Sequence, residues 1–450
     1  MFFASARPGQ ELESRRRRPN VLILLTDDQR FSTINALGYG EVRTPHLDSL
    51  VRRSTAFTHA CIMGGSQPAV CVPSRAMLLT GRTLFHLTGT GKTVPFSDVT
   101  LSELLRRHGY RTFHTGKWHQ DRASFARSFT RGANIFFGGM TDHTSVPVYD
   151  FDRSGAYPPG KQRTAEKFSS ELFADSAIEF LEEQTGDQPF LAYVAFTSPH
   201  DPRQAPRRFR DLYDPSRLTL PPNFLPEHPF DNGELKVRDE LLAAFPRTPE
   251  IVREHLADYY AMVSEVDEQV GRILSTLEWK GLRENTLIVF AGDNGLAVGQ
   301  HGLLGKQNVY EHSVRVPLLL AGPGIPEGRR SDAFCYLLDV YPTLCQLLGI
   351  RTPTTVEGVS LGPALEGSAG AGRETLFFAY RDFQRAVRTR THKLIEYAVA
   401  GERRTQLFDL VADPHETRDL AGDSRNQALI ADLRAKLSAW QKQLDDQLVL

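Results

Sequence analysis

Four stretches of the chain set reactive side chains directly after apolar runs. Asp27-Asp28 follows Val21–Leu25, Lys117 and His119 follow Tyr110–His114, Ser198-Pro199-His200 follows Phe190–Phe196, and Asp293-Asn294-Gly295 follows Thr286–Ala291. Asp27, Asp28, Asp293 and Asn294 are hard oxygen donors, a set suited to calcium or magnesium and not to zinc. Three clustered carboxylates repel one another unless a cation neutralises them. Lys117 and His119 stand two residues apart and can point at one ligand. Lys306, in Leu304-Gly305-Lys306-Gln307, lies between Asp293 and the next apolar run. Beside a sulfate or phosphate, lysine is a point-charge donor. His200 can titrate near neutral pH and is the candidate acid for a leaving group.

A fifth stretch is Cys71-Val72-Pro73-Ser74-Arg75 with Thr80-Gly81-Arg82 after it. Pro73 fits the first turn of a helix and Gly81 its C-terminal cap. Cys71 is then expected just before the helix N-terminus, where the dipole favours an anion and lowers a thiol pKa. Arg75, four residues on, can fold back over the same point.

These groups need a frame. The four runs above and Val316–Leu320 read as buried parallel strands. Between them lie amphipathic helices, one long, from about Pro249 to Leu277, and another over Asp339–Leu348. The alternation predicts an α/β fold, a large and mostly parallel sheet flanked by helices. Ligands of such sheets bind at the carboxyl edge of the strands, where the reactive residues fall. Segments 136–166 and 202–248, rich in Pro and Gly, read as loops over the site. From about 365 the pattern changes to short strands, Thr375–Tyr380, Gln384–Thr389 and Lys393–Tyr397, closed by a polar helix over Ser424–Leu444. The expected division is a flexible leader 1–18, a catalytic domain 19–364 and a C-terminal α+β unit 365–450.

Composition narrows the partners. Lys plus Arg number 53 and Asp plus Glu 54, a net charge of −1 that gives no reason to expect nucleic acid. Cys61, Cys71, Cys335 and Cys345 match no zinc pattern and are too few for a disulfide framework. Cys335 and Cys345 read as small core residues of one apolar helical stretch. No apolar run is long enough to span a membrane, and residues 1–18 lack a secretory apolar core. As it stands the sequence predicts a cytoplasmic protein, or a periplasmic or secreted one if its N-terminus is truncated.

The Cys-x-Pro-Ser-Arg and Thr-Gly-Arg motifs resemble those of the type I sulfatases of the alkaline phosphatase superfamily. So do Pro19-Asn20-Val21, Asp27-Asp28-Gln29, Thr44-Pro45-His46-Leu47-Asp48, Gly116-Lys117-Trp118-His119 and Gly292-Asp293-Asn294-Gly295. Leu407-Phe408-Asp409-Leu410 and Asp413-Pro414-His415-Glu416 resemble the family's C-terminal motif. The resemblance implies an alkaline phosphatase-like fold and hydrolysis of sulfate esters. It implies that a formylglycine-generating enzyme oxidises Cys71 to formylglycine, whose hydrate is the nucleophile held by Arg75. It also implies a cation, usually calcium, on Asp27, Asp28, Asp293, Asn294 and residue 71. Lys117, His200 and Lys306 would contact the sulfate and leaving oxygen, and His119 would assist breakdown of the sulfated intermediate. The alternatives are a formylglycine-dependent phosphonate monoester or phosphodiester hydrolase, and a non-catalytic sulfated-glycan binder. The intact nucleophile and its flanking bases argue against a pure binder. A sulfated saccharide is the leading substrate class, with Asp142, His143, Arg203, Arg381 and Arg385 as its candidate contacts.

Overall fold

The computed structural model describes residues 18–448. The expected leader lies, apart from Arg18, outside the described residues. Eight strands form the central sheet. In chain order they are β1 (Asn20–Thr26), β2 (Thr55–Cys61), β3 (Arg111–Lys117), β4 (Arg131–Phe136), β5 (Phe190–Ala195), β6 (Thr286–Gly292), β7 (Leu318–Ala321) and β8 (Arg329–Tyr336). Their spatial order is β8-β2-β7-β6-β1-β5-β3-β4.

The middle strands are apolar throughout because both faces are covered. Val21, Ile23 and Leu25 of β1 enter one core, and Leu22 and Leu24 enter the other. β6 repeats the division, with Leu287, Val289 and Ala291 against Ile288 and Phe290. This is the two-residue period of a strand with no wet face.

β7 corrects one expectation. It pairs antiparallel with both β6 and β2, while the other pairings in the sheet are parallel. The chain leaves β6 at its carboxyl edge and carries Lys306 in the intervening segment. It then re-enters the sheet from that same edge with no crossover helix to reverse it. Cys335 is a second correction: it lies in strand β8, not in the helix Val340–Leu348 that holds Cys345.

The long helix runs from Pro249 to Trp279, with Thr248 accepting the Ile251 N–H and Pro249 in its first turn. It braces the site. The Tyr259 hydroxyl donates to the Asp28 carbonyl at 2.7 Å and accepts the Arg30 N–H at 3.1 Å.

A second, antiparallel sheet consists of β9 (Leu376–Tyr380), β10 (Gln384–Arg388), β11 (His392–Val399) and β12 (Glu402–Asp409). The helix Gln427–Gln443 packs on it through Ile430, Leu433 and Leu437. Its far edge is Gly64–Gly65, paired parallel with β9. A Cβ on Gly64 would lie 2.0 Å from the Ala379 carbonyl oxygen, so this join, six residues before Cys71, requires glycine. Among the described residues no helix is long and apolar enough to cross a membrane.

Candidate active site

The side chains that follow β1, β3, β5 and β6 meet at the carboxyl edge of the sheet. β1 and β6 are neighbours in register, Thr26 beside Gly292, so Asp27-Asp28 and Asp293-Asn294 emerge together. The Asp28 N–H donates to Asp293 Oδ1 at 3.0 Å, and Asn294 Nδ2 donates to Asp28 Oδ1 at 2.7 Å. Asp28 takes φ +66° and His119 φ +74°, both in the left-handed region that non-glycine residues rarely enter. Such backbone persists where the surroundings enforce it, typically at functional sites.

Three cations face these oxygens. Lys117 Nζ donates to Asp27 Oδ2 at 2.5 Å, Lys306 Nζ to Asp28 Oδ1 at 2.6 Å and Arg75 Nε to Asp293 Oδ2 at 2.8 Å. Burial alone would raise the Asp27 carboxyl, but Lys117, His200 and Arg75 outweigh it and hold it below its ordinary value. Asp293, buried beside Asp27, is pushed up instead. Lys306 is raised well above its usual value, because Asp28 and its other anionic neighbours outweigh the cost of burial.

Two oxygens of the cluster, Asp27 Oδ1 and Asn294 Oδ1, are buried with no hydrogen-bond partner. A buried acceptor without a donor is costly. Both point to a cation as the missing partner, and an all-oxygen set fits a hard divalent ion. One atom each from Asp27, Cys71 and Asp293 lies within 4.8 Å of the others, and the same holds for Asp27, Asp28 and His200.

Cys71 opens the helix Cys71–Thr80, which ends on Gly81 at φ +67°. Its Sγ lies 3.6 Å from Lys117 Nζ and 3.4 Å from His119 Nδ1. Arg75, one turn on, also donates from Nη1 to the Lys117 carbonyl at 2.8 Å. The expectation of a lowered thiol pKa is overturned. Burial raises the Cys71 thiol and outweighs Lys117 and Lys306. A thiolate is therefore not the resting form of this side chain, and the helix terminus does not offset full desolvation. His119 is held well below its usual pKa by burial first, then by Lys117 and Arg75, and is neutral. A Cβ on Gly139 would lie 2.7 Å from His119 Nε2, so glycine makes room for that ring.

His200 Nδ1 donates to the Asp201 carbonyl at 2.8 Å, and its Nε2 lies 3.6 Å from Asp28 Oδ2. Cys71, His119, His200 and Lys306 form the base of a pocket of about 250 Å³, walled by Pro68, Ala69, Met140, Val237, Arg238, Asp239 and Gln307. A larger hollow of about 400 Å³ lies elsewhere, among Arg30, Glu311, His312 and Glu416. Its size does not make it the site, since none of the reactive cluster lines it.

The five expected substrate contacts do not line the pocket. His143 is buried behind His200, with Nε2 2.9 Å from the His200 carbonyl oxygen and Nδ1 2.8 Å from Ser169 Oγ. Asp142 is exposed and accepts from Gln204 and Thr144. Arg203 turns its guanidinium towards His255. Arg381 pairs with Glu234 at 2.7 Å. Arg385 is fully buried and pairs with Asp446 through both Nε and Nη2, at 2.6 and 2.8 Å. In each case a partner distant in sequence claims the side chain. The wall residues Met140, Val237, Arg238, Asp239 and Gln307 were not singled out. The two loop segments 136–166 and 202–248 contain four of them, and Gln307 lies beside Lys306.

Comparison with known proteins agrees with this geometry. The sulfatase family model matches residues 19–350, and a model of the N-sulphoglucosamine sulphohydrolase C-terminal region matches 299–443. The chain is 31% identical to an ulvan-active sulfatase of Formosa agariphila, over 96% of this chain and 82% of that protein. It is 25% identical to an N-acetylglucosamine-6-O-sulfatase of Bacteroides thetaiotaomicron, over 99% and 90%. A protein solved with its substrate D-glucosamine-2-N,6-O-disulfate shares the fold, with a TM-score of 0.81, 24% identity and coverage of 96% and 99%. Motifs, fold and relatives converge on one conclusion: the chain belongs to the sulfatase family of the alkaline phosphatase superfamily and is a sulfuric ester hydrolase.

Proposed function

We propose that this sulfatase hydrolyses sulfate esters of carbohydrates, with Cys71 converted to formylglycine as its nucleophile. A divalent cation, calcium or magnesium, is held by Asp27, Asp28, Asp293, Asn294 and residue 71. One observation carries the reading: the side chain of residue 71 lies between Lys117 Nζ, 3.6 Å away, and His119 Nδ1, 3.4 Å away, beside carboxylates with an unpartnered oxygen. The ulvan-active and N-acetylglucosamine-6-O-sulfatase relatives support a saccharide substrate.

The cation supplies charge neutralisation for the sulfate oxygens. The hydrated aldehyde supplies an oxygen nucleophile that a thiol with a raised pKa does not. Arg75, tied to Asp293 and to the Lys117 carbonyl, orients residue 71. Lys117 and Lys306 bind the negatively charged non-bridging oxygens, and the charge that develops on the bridging oxygen as the S–O bond breaks falls to the general acid. His200 Nε2 protonates the departing alcohol oxygen, with its ring fixed by the Nδ1 bond to Asp201. Neutral His119 accepts a proton from residue 71 as sulfate is released.

The test is production beside a formylglycine-generating enzyme, followed by peptide mass spectrometry and turnover of sugar sulfates, 4-nitrophenyl sulfate and a phosphonate monoester. Aldehyde at residue 71 in the active fraction is expected. Full activity with an intact Cys71 thiol overturns the nucleophile, and preference for the phosphonate ester moves the chain to the alternative hydrolase class.

A further inference from the structure

The wall above the reacting groups has a chemistry of its own. Its apolar part is Pro68, Ala69, Met140 and Val237, and its polar part is Arg238, Asp239 and Gln307. Asp239 is 7% exposed; its Oδ1 accepts from Arg238 Nη2 at 2.5 Å and its Oδ2 from Gln307 Nε2 at 2.7 Å. Arg238 also forms a two-point pair with Asp201, Nη2 reaching Oδ1 at 3.1 Å and Nη1 reaching Oδ2.

Two carboxylates thus share one guanidinium, and Lys306 at the base of the pocket acts on both of them as well. A ligand carboxylate finds no free pair of N–H groups on Arg238 for the bidentate contact that acid recognition uses, because Asp201 and Asp239 hold both Nη1 and Nη2. A carboxylate oxygen has two acceptor sites, and one bond from Arg238 or Gln307 leaves the other open to a ligand O–H. A quaternary ammonium has no such hydrogen to offer. It is held by aromatic cages, and no Phe, Tyr or Trp is among the described residues lining the pocket. At about 250 Å³ the pocket is smaller than drug-sized sites, which start near ~300 Å³. It admits one ring.

From this geometry we infer that the sulfated residue is a single neutral, hydroxyl-bearing sugar ring, with Asp239 and Gln307 reading its hydroxyls and Asp201 holding Arg238 in place. Asp239 determines specificity, and the inference rests on the sulfatase reading above. Met140 and Val237 pack the carbon face of the ring. Sulfated uronates and choline sulfate are the classes that the wall rejects.

The test uses matured full-length protein and kcat/KM for N-acetylglucosamine 6-sulfate, glucose 6-sulfate, a uronic acid 2-sulfate, choline sulfate and 4-nitrophenyl sulfate. The better neutral sugar sulfate should exceed both the uronate and choline esters by about tenfold or more. Asp239→Asn should lower the ratio of sugar to aryl turnover by about tenfold, through KM, as expected for losing a charged hydrogen-bond acceptor. Arg238→Ala removes the guanidinium that Asp201 and Asp239 share and should depress the uronate ester further relative to the neutral sugar. Preference for the uronate or choline ester overturns the inference, as does a sugar-to-aryl ratio unmoved by Asp239→Asn in protein of native circular dichroism. Loss of the sulfatase reading itself would look different: no sulfate ester in the panel, aryl included, would be turned over.

Discussion

The carboxyl edge of the central sheet and the seam between the 311–316 segment and the C-terminal sheet both bury acids against bases. At the seam, Lys393 lies 3.2 Å from Glu311 and 3.0 Å from Glu416, and Arg388 lies 3.1 Å from Glu311. Each acid there has a basic side chain of the protein as its counter-ion. At the sheet edge the acids also have basic partners; Asp27 Oδ1 and Asn294 Oδ1 keep no donor and Asp28 and His119 hold left-handed backbone, but Glu416 at the seam shares both features, with Oε1 lacking a donor and φ at +56°. Burial of charge therefore does not mark a site. What separates the two is Cys71: at the edge one atom each from Asp27, Cys71 and Asp293 lies within 4.8 Å of the others, and among the described residues the seam offers no such group.

The comparison breaks most sharply at residue 71. Cys71→Ala should reduce turnover by at least ~10⁴-fold, the scale of losing a nucleophile, while the unfolding midpoint moves little. Comparable residual activity would mean that the sheet edge is as inert as the seam.

A second way to break it is the cation. Chelation should abolish activity and calcium should restore it. Asp27→Asn should weaken metal binding by at least ~10-fold, since it removes a charged ligand. Calorimetric titration of calcium into the variant checks this. Unchanged affinity would show that the unpartnered Asp27 oxygen is no ligand.

His200→Ala sharpens the edge's role in proton transfer. The loss on sugar sulfates should be ~10²-fold or more, and clearly smaller on 4-nitrophenyl sulfate, whose leaving group needs no proton. Equal losses on both would remove the acid role from His200.

How far the sequence could be read follows from the same physics. β1, β5 and β6 are legible because strands covered on both faces are continuous apolar runs. Thr55–Cys61, Arg131–Phe136 and Arg329–Tyr336 are not, because they lie towards the sheet's margins and mix small or charged residues into the run. Glu402–Asp409 begins with four polar residues and hides likewise. Asp27, Asp28, Lys117, His119, His200, Asp293 and Asn294 were legible because they stand at or just after strand ends, and a parallel sheet gathers such positions at one edge, while Cys71, Arg75 and Lys306 were legible from their own motifs. The pocket wall was not, because Met140, Arg238 and Gln307 arrive from separate loops that only the folded chain brings together. Arg385 misled for the opposite reason: an arginine within a predicted strand gives no sign of an aspartate 61 residues away that claims it.

The smallest effect on chemistry should come from the seam. Lys393→Met removes a cation that Glu311 and Glu416 share and leaves buried carboxylates short of a partner, a change that costs ~3–5 kcal/mol of stability. KM and kcat per folded molecule should stay near their original values, because Lys393 touches no reactive group. The pH dependence carries the sign. Burial pushes the Glu311 carboxyl up, but Arg388, Lys393 and Arg315 outweigh it and its pKa is lowered. Its contribution is therefore present above the ordinary glutamate value of about 4.3 and is lost as pH falls through its depressed native value. Glu416 is raised, chiefly by burial, and works in the opposite sense, losing its contribution as pH rises. Without Lys393 both carboxyls rise, so protonation costs the folded variant less than it costs the original protein, although Arg388 and Arg315 still act on Glu311. The deficit of the variant against the original protein should be largest near pH 7 and should narrow as pH falls towards 4. Urea midpoints for the two proteins at pH 7 and pH 5 measure this. A deficit that is constant across pH would show that Lys393 acts through packing alone. A fall in kcat would show that the seam, unlike its paired charges suggest, is coupled to the edge.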